Sequence, residues 1–193
     1  IKTLYALAVF FYSTNGDDFI SQPTWIERFG FLNSTDSVCN WNNGDMTNES
    51  RGLWCDSNTG TKVVTLSFAS NNLVGAMPEE IGMLTDLQRL VLGNNKLTST
   101  LPASLFELPD LRQVDVGFNS ITGSVPSTFT QATNLEHLHL GSNQLEGPIS
   151  FDHLVKGNRC PLTLLTLAGN RFSGTFPLDS IAANCTRVGT ISM

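Results

Sequence analysis

The sequence is short of charge. Only 15% of its 193 residues are charged, 11 of them Lys or Arg against 17 Asp or Glu, for a formal net charge of −6. Nucleic acids and anionic membrane surfaces are recognised through clustered cations that replace counterions, so neither is an expected partner. A basic peptide or a neutral glycan fits that charge. Long apolar runs are missing too. The longest, LYALAVFFY at positions 4–12, falls far below the roughly 20 residues that span a bilayer. It has no basic leader beyond Lys2 and no small-residue cleavage site after it, unlike a signal peptide. It reads as a buried helix ended by STNGDD, with Gly16 as its C-terminal stop. Because the first residue is Ile1 rather than Met, an upstream segment is expected. Gly-x-Ser-x-Gly, a phosphate-binding glycine loop and a Cys–His arrangement are all absent. The carboxylate pairs Asp17–Asp18 and Glu79–Glu80 are placed at a turn and on the outer surface, where solvation is the expected fate. The sequence therefore points away from an enzyme and asks for no cofactor.

Cysteine is scarce but even in number, at positions 39, 55, 160 and 185. Asn33, Asn48 and Asn184 each open an Asn-x-Ser/Thr glycan acceptor. Together these features favour a secreted, extracellular or cell-surface glycoprotein with disulfides. Four closely spaced ligands of the kind a structural zinc site uses are not present, so no metal is expected at the cysteines.

What the sequence does have is a period. VVTLSFASNNL (63–73), LQRLVLGNNKL (87–97), LRQVDVGFNSI (111–121), LEHLHLGSNQL (135–145) and LTLLTLAGNRF (162–172) share one template, apolar-x-x-apolar-x-apolar-x-x-Asn-x-apolar. Its asparagines are Asn71, Asn95, Asn119, Asn143 and Asn170, evenly spaced except for a slightly longer last step. This is a leucine-rich repeat. The x-L-x-L-x core is a short strand, and successive strands stack into a parallel sheet with apolar side chains inward. The asparagine amide carries both donors and an acceptor, so the ladder is expected to satisfy buried backbone groups where the chain turns inward. A sixth strand is visible in VGTISM (188–193), through Val188, Ile191 and Met193. It is either the start of a longer array or a sheet edge through which a homodimer could form.

A second pattern follows each first one. LVGAMPEEIGMLTDL (73–87), ITGSVPSTF (121–129) and FSGTFPLDSI (172–181) contain apolar-x-Gly-x-x-Pro. The second repeat has Ser99 in place of the glycine but keeps Pro102, and the fourth has Gly147 with its proline displaced to Pro148 and Ser150 in the usual slot. Over residues 63–185 the sequence resembles the plant-type extracellular leucine-rich repeat proteins. These comprise receptor-kinase ectodomains, polygalacturonase-inhibiting proteins and related algal secreted proteins, with their L-x-G-x-I-P signature. The resemblance implies an α/β repeat solenoid: a twisted, right-handed superhelix with a parallel concave sheet and a second short strand in each coil. CNW (39–41) and GLWC (52–55) resemble the C-x-W…G-V-x-C cap of that class. Residues 1–62 then form a disulfide-linked N-terminal helical cap and 63–193 the repeats. The cap resemblance predicts a Cys39–Cys55 bridge, a short loop contributing about 3 kcal/mol, with Trp25, Trp41 and Trp54 as apolar bulk. Cys160 and Cys185 are separated by close to one repeat, which brings them to adjacent layers. Four cysteines allow three pairings, and spacing alone leaves the choice open.

The residues between the inward leucines face the concave side. One column runs Thr65, Arg89, Gln113, His137, Leu164 and Thr190; the next runs Ser67, Val91, Asp115, His139, Thr166 and Ser192. With strands about 4.8 Å apart, His137, His139 and Asp115 are expected to cluster, with Gln113 and Arg89 beside them. Two histidines and a carboxylate can hold a transition metal, but no second-shell partner or general base is evident; a solvated polar patch without a ligand and a recognition surface are the two leading readings of the cluster. The expected ligand-binding residues are Arg89, Val91, Gln113, Asp115, Phe118, His137 and His139. Phe118 is included because an aromatic just after a strand is costly to expose. Five strands about 17 Å long make a patch of only about 320 Å², against about 800 Å² per partner for a standard interface. The sequence thus reads as a non-catalytic extracellular recognition module for a protein, peptide or cell-wall polysaccharide, in receptor signalling or free. A structural or adhesive protein acting by self-association is the alternative.

Overall fold

Alternating apolar residues make a strand only if one face has something to bury against, and in this chain that something is the next copy of the same pattern. The computed structural model describes residues 1–15, 37–41, 52–155, 160–176 and 178–192. It begins with helix α1 (Lys2–Ser13) and strand β1 (Gly52–Cys55), which runs antiparallel to β2 (Val63–Ser67). Each coil then supplies a main strand and a short second strand. These are β2 and β3 (Val74–Ala76), β4 (Arg89–Val91) and β5 (Lys96–Thr98), and β6 (Gln113–Asp115) and β7 (Thr122–Gly123). They are followed by β8 (His137–His139) and β9 (Gln144–Gly147), then β10 (Leu164–Thr166) and β11 (Arg171–Phe172), and finally the lone β12 (Thr190–Ser192). The main sheet has seven strands in the order β1-β2-β4-β6-β8-β10-β12. From β2 onward its pairs are parallel, and Thr65, Arg89, Gln113, His137, Leu164 and Thr190 are in register. The expected sixth strand is present and pairs with β10.

The inward column of Leu66, Leu90, Val114, Leu138 and Leu165 has no accessible surface; burying such side chains contributes about 1.5–3 kcal/mol each. Between coils the asparagines work as expected. The Asn143 amide nitrogen donates to the carbonyls of Val116 and Leu140, and its Oδ1 accepts the Ile121 N–H at 3.0 Å. Asn95, Asn119 and Asn170 repeat the arrangement, accepting from Leu73, Leu97 and Leu145. Each asparagine thus ties its own turn to the coil before it.

The second strands carry a backbone demand that explains their glycines. Gly75, Gly123, Gly147 and Gly174 all have positive φ, and Ser99 sits in the same region at φ 74°. Beyond them, on the outer flank, 3-10 helices follow prolines at Glu79–Met83, Ala103–Glu107 and Ser127–Gln131. Glu79 departs from the expectation of a merely solvated carboxylate. Its oxygens accept the N–H groups of Ala103 and Ser104 at 3.0 Å, which open the next coil's helix. Those donors have no partner within their own helix, so one coil caps the next. In the fourth and fifth coils α2 (Asp152–Val155) and α3 (Leu178–Asn184) replace the 3-10 turns.

Both disulfides are present, Cys39–Cys55 in the cap and Cys160–Cys185 across the last coils. Asn184, the third glycan acceptor, closes α3 beside Cys185; Asn33, Asn48, Trp25 and Asp17–Asp18 lie outside the described residues. Trp41 is fully buried and Trp54 half-buried. The first helix ends within STNGDD as expected, although Gly16 itself lies outside the described residues. The helix stops at Ser13, where the Thr14 hydroxyl turns back onto the Phe10 carbonyl at 2.6 Å and Asn15 takes the left-handed conformation assigned to Gly16. It is also buried on one face only. Ala6, Leu7, Phe10 and Phe11 cover the open end of the first coil, while Leu4, Tyr5 and Tyr12 stay about half exposed. A cap has one apolar surface to cover, so one stripe suffices. Among the described residues no helix is long and apolar enough to cross a membrane.

Candidate functional site

The concave face is built by parity. Because side chains alternate along a strand, every residue between two inward leucines must point outward, and the in-register pairing stacks those residues into the two expected columns. Asp115 is directly opposite His139, and Gln113 is opposite both Arg89 and His137. At the first coil the columns close over: Thr65 and Ser67, expected outward, are almost wholly buried next to the cap. The usable face therefore starts at Arg89, which is exposed and donates from Nε to the Thr65 hydroxyl at 3.0 Å.

At its centre is a three-residue arrangement. His139 Nδ1 lies 3.2 Å from Asp115 Oδ1, and the same oxygen accepts the Gly117 N–H at 3.2 Å. The Phe118 ring meets the His139 ring edge to face, with centroids 5.8 Å apart at 88°. Phe118 is 58% exposed, whereas the His139 and Asp115 side chains are mostly covered. An aspartate on Nδ1 fixes the imidazole orientation, with the ring lying over the Gly117 backbone. His137 and Val91 flank this trio in the columns and are half-buried. The face offers hydrogen bonds, one carboxylate, one guanidinium and one aromatic surface. Among the described residues no group of three or more His, Cys, Asp or Glu is placed to hold a metal ion.

The sequence reading missed the glycines that make room for these side chains. A Cβ at Gly117 would come within 2.5 Å of His139 Nε2, and one at Gly93 within 2.8 Å of Asp115 Oδ1. Asp115 and His139 thus each lie over the glycine of the preceding coil. The signal was in the sequence: the strands of coils two to four end in Leu-Gly or Val-Gly, at Gly93, Gly117 and Gly141, while the outer two end in alanine, at Ala69 and Ala168.

Repeat chains of similar sequence and fold occur among known proteins. The Leucine Rich Repeat family model matches residues 86–108 and 134–154. A chain in the crystal structure of the BIR3–SERK2 complex from Arabidopsis thaliana is 30% identical, over 76% of this chain and 72% of that one, with a TM-score of 0.61. The chain belongs to the plant-type extracellular leucine-rich repeat proteins. The ectodomain of the Arabidopsis receptor kinase SOBIR1 is a similar member of this class, at 29% identity over 74% of this chain and 78% of that one, with a TM-score of 0.64. The Arabidopsis receptor kinase HAESA, solved with the peptide hormone IDA and the co-receptor SERK1, is 25% identical over 84% of this chain and 29% of that one, with a TM-score of 0.56. No curated protein sequence matches significantly. This repeat protein combines the inner ladder of its class with the concave trio of Asp115, Phe118 and His139.

Proposed function

We propose that this chain is a non-catalytic extracellular recognition module that binds a protein or peptide on its concave face, with Phe118 as the anchor and Asp115 and His139 setting the polar contacts. Phe118 carries the reading. The position before each ladder asparagine has positive φ, and the other coils fill it with Ser70, Asn94, Ser142 and Gly169. Phenylalanine there costs about 1–2 kcal/mol of backbone strain and leaves a large apolar surface in water. A residue that opposes stability twice is accounted for by what it contacts in a complex. The likeness to HAESA, solved with a peptide hormone, supports a peptide as ligand. So does size. The five parallel strands from β4 to β12, each of three residues, give a face of about 19 Å by about 10 Å, a fraction of the roughly 800 Å² a globular partner covers. An extended peptide fits such a strip, and Arg89, Gln113 and His137 then line its path.

The test is capture from an extracellular extract on the immobilised domain, read by mass spectrometry, beside the triple variant Asp115→Ser, Phe118→Gly, His139→Ser. A partner retained by the first and lost by the second places recognition on the concave face. Equal capture by both removes that face from the reading.

A further inference from the structure

The outer flank holds a second site of different chemistry. In the first three coils the proline slot and the 3-10 helix after it recur once per coil, at Pro78, Pro102 and Pro126. The fourth coil breaks this. Its proline arrives early, as Pro148, and Ser150 takes the slot and accepts the Asp152 N–H at 3.3 Å, as a helix N-cap does. Its helix is α2. Phe151 and His153 pack against Phe129 on the inner side, at 5.6 and 4.8 Å between ring centroids. On the outer side a groove of about 560 Å³ opens between coils three and five. That volume lies in the range of about 300–1,000 Å³ usual for small-molecule sites. At Ile149 and Ser173–Thr175 it adjoins a cavity of about 290 Å³ that adds the half-buried rings of Phe172 and Phe176.

The lining is specific in type. Hydroxyls come from Ser127, Thr130, Ser150, Ser173 and Thr175, and the one charged group among the described residues is the Asp152 carboxylate. No described lysine, arginine or histidine lines the groove. Pro126, Pro148 and Ile149 supply an apolar floor. Thr130 already donates to the Ser127 carbonyl and keeps its acceptor lone pairs, while Ser150, which accepts from Asp152, keeps its proton to donate. Ser and Thr hydroxyls both give and take hydrogen bonds, which matches a ligand whose own polar groups are hydroxyls. A carboxylate strengthens bonds from such donors and repels anions. Apolar floor and half-buried rings suit the C–H faces of pyranose rings.

We infer that this groove binds an uncharged oligosaccharide. The site is separate from the concave face and stands or falls independently of it. The experiment titrates the 193-residue protein with cellohexaose, xylohexaose, mannohexaose and laminarihexaose, using hexagalacturonate as the anionic control, and follows backbone amide signals by NMR. At least one neutral sugar should move signals of residues 127–130, 149–152 and 173–175 while leaving 113–118 and 137–139 in place. Hexagalacturonate should bind at least tenfold more weakly. Asp152→Asn should weaken the sugar at least fivefold and Ser173→Trp, at an exposed position, should block it; the concave triple variant should bind as the parent does. The inference is overturned if none of the four neutral sugars moves the groove signals, if the anion binds equally, or if both groove variants bind unchanged. It is equally overturned if a proline-rich hexapeptide moves those signals where no sugar does.

Discussion

The inner wall of this solenoid and its outer flank respond differently to the same short insertion. Between Asn143 and Asn170 the coil is longer than any before it. On the inner wall nothing changes: β10 pairs with β8 in register and Asn170 accepts the Leu145 N–H at 3.0 Å, the distance of its predecessor. On the outer flank everything changes: the proline moves, helices α2 and α3 replace 3-10 turns, and a disulfide joins Cys160 to Cys185. The inner wall is held by ladder bonds and buried amides whose loss leaves polar groups unpaired, so it does not stretch. The flank is anchored by buried apolar side chains such as Phe129, Phe151 and Ile181, whose burial is non-directional, so its backbone absorbs the insertion, and a covalent bridge spans the coils where the regular pattern lapses.

That comparison can be broken most forcefully at its covalent member. Replacing both Cys160 and Cys185 by serine opens the loop between them and is expected to cost about 3–4 kcal/mol, measured by guanidinium unfolding. A small effect would mean that the irregular flank is already as firm as the regular one. Next comes Asn143→Ala, which removes the acceptor of the Ile121 N–H, while the Val116 and Leu140 carbonyls keep the amides of Asn119 and Asn170. About 2 kcal/mol is expected, from one buried donor left unpaired, with amide exchange accelerating in coils three and four. A loss below about 1 kcal/mol, the worth of a single ordinary hydrogen bond, would show that water replaces the amide and that the inner wall is less strict than drawn.

Two smaller effects sharpen the picture on the flank. Ser99→Gly removes a side chain from a left-handed position at φ 74° and should raise stability by about 1 kcal/mol, seen as a higher unfolding midpoint at unchanged slope. Glu79→Gln should cost under about 1 kcal/mol, since the pair of bonds it weakens is at the surface. Its pH dependence is the more telling readout. Partial burial pushes the Glu79 carboxyl up, but the N–H groups of Ser104 and Ala103 and the Ser104 side chain outweigh it and hold the pKa below its usual value. The folded-state pKa is depressed, so the stabilisation is present above the unfolded value of about 4.3 and is lost as pH falls through the folded one. Parent and variant should differ at pH 7 and converge below about pH 4; a difference that persists in acid would show that Glu79 acts through shape rather than charge.

Much of this was legible beforehand. Two rules of periodicity, the coil length and the alternation along a strand, place Asp115 opposite His139 and both on the open face. Register in a stacked coil is dictated by which side chains must be buried. Phe118 was legible as an aromatic just after a strand, where exposure is costly. Glu79 was not: its partners, Ala103 and Ser104, belong to the next coil, and two adjacent glutamates look the same whether or not a neighbouring helix offers them N–H groups. The end of α1 was legible in STNGDD, but not the residue that takes the left-handed position: glycine is the commoner choice, and Asn15 serves here.

The sequence by itself determined the coil, its period, the inward and outward parity of every strand residue, and the role of the asparagines. Each of these follows from burying one face of a repeating pattern against its own copy. Only the tertiary structure decided how the columns end and where the extra residues go. The cap closes over Thr65 and Ser67, Gly117 gives His139 the space to lie flat, and the insertion opens a groove beside Asp152. Those outcomes depend on contacts between segments that share no pattern, and the physical reason they escape the sequence is that no repeated burial constraint selects among them.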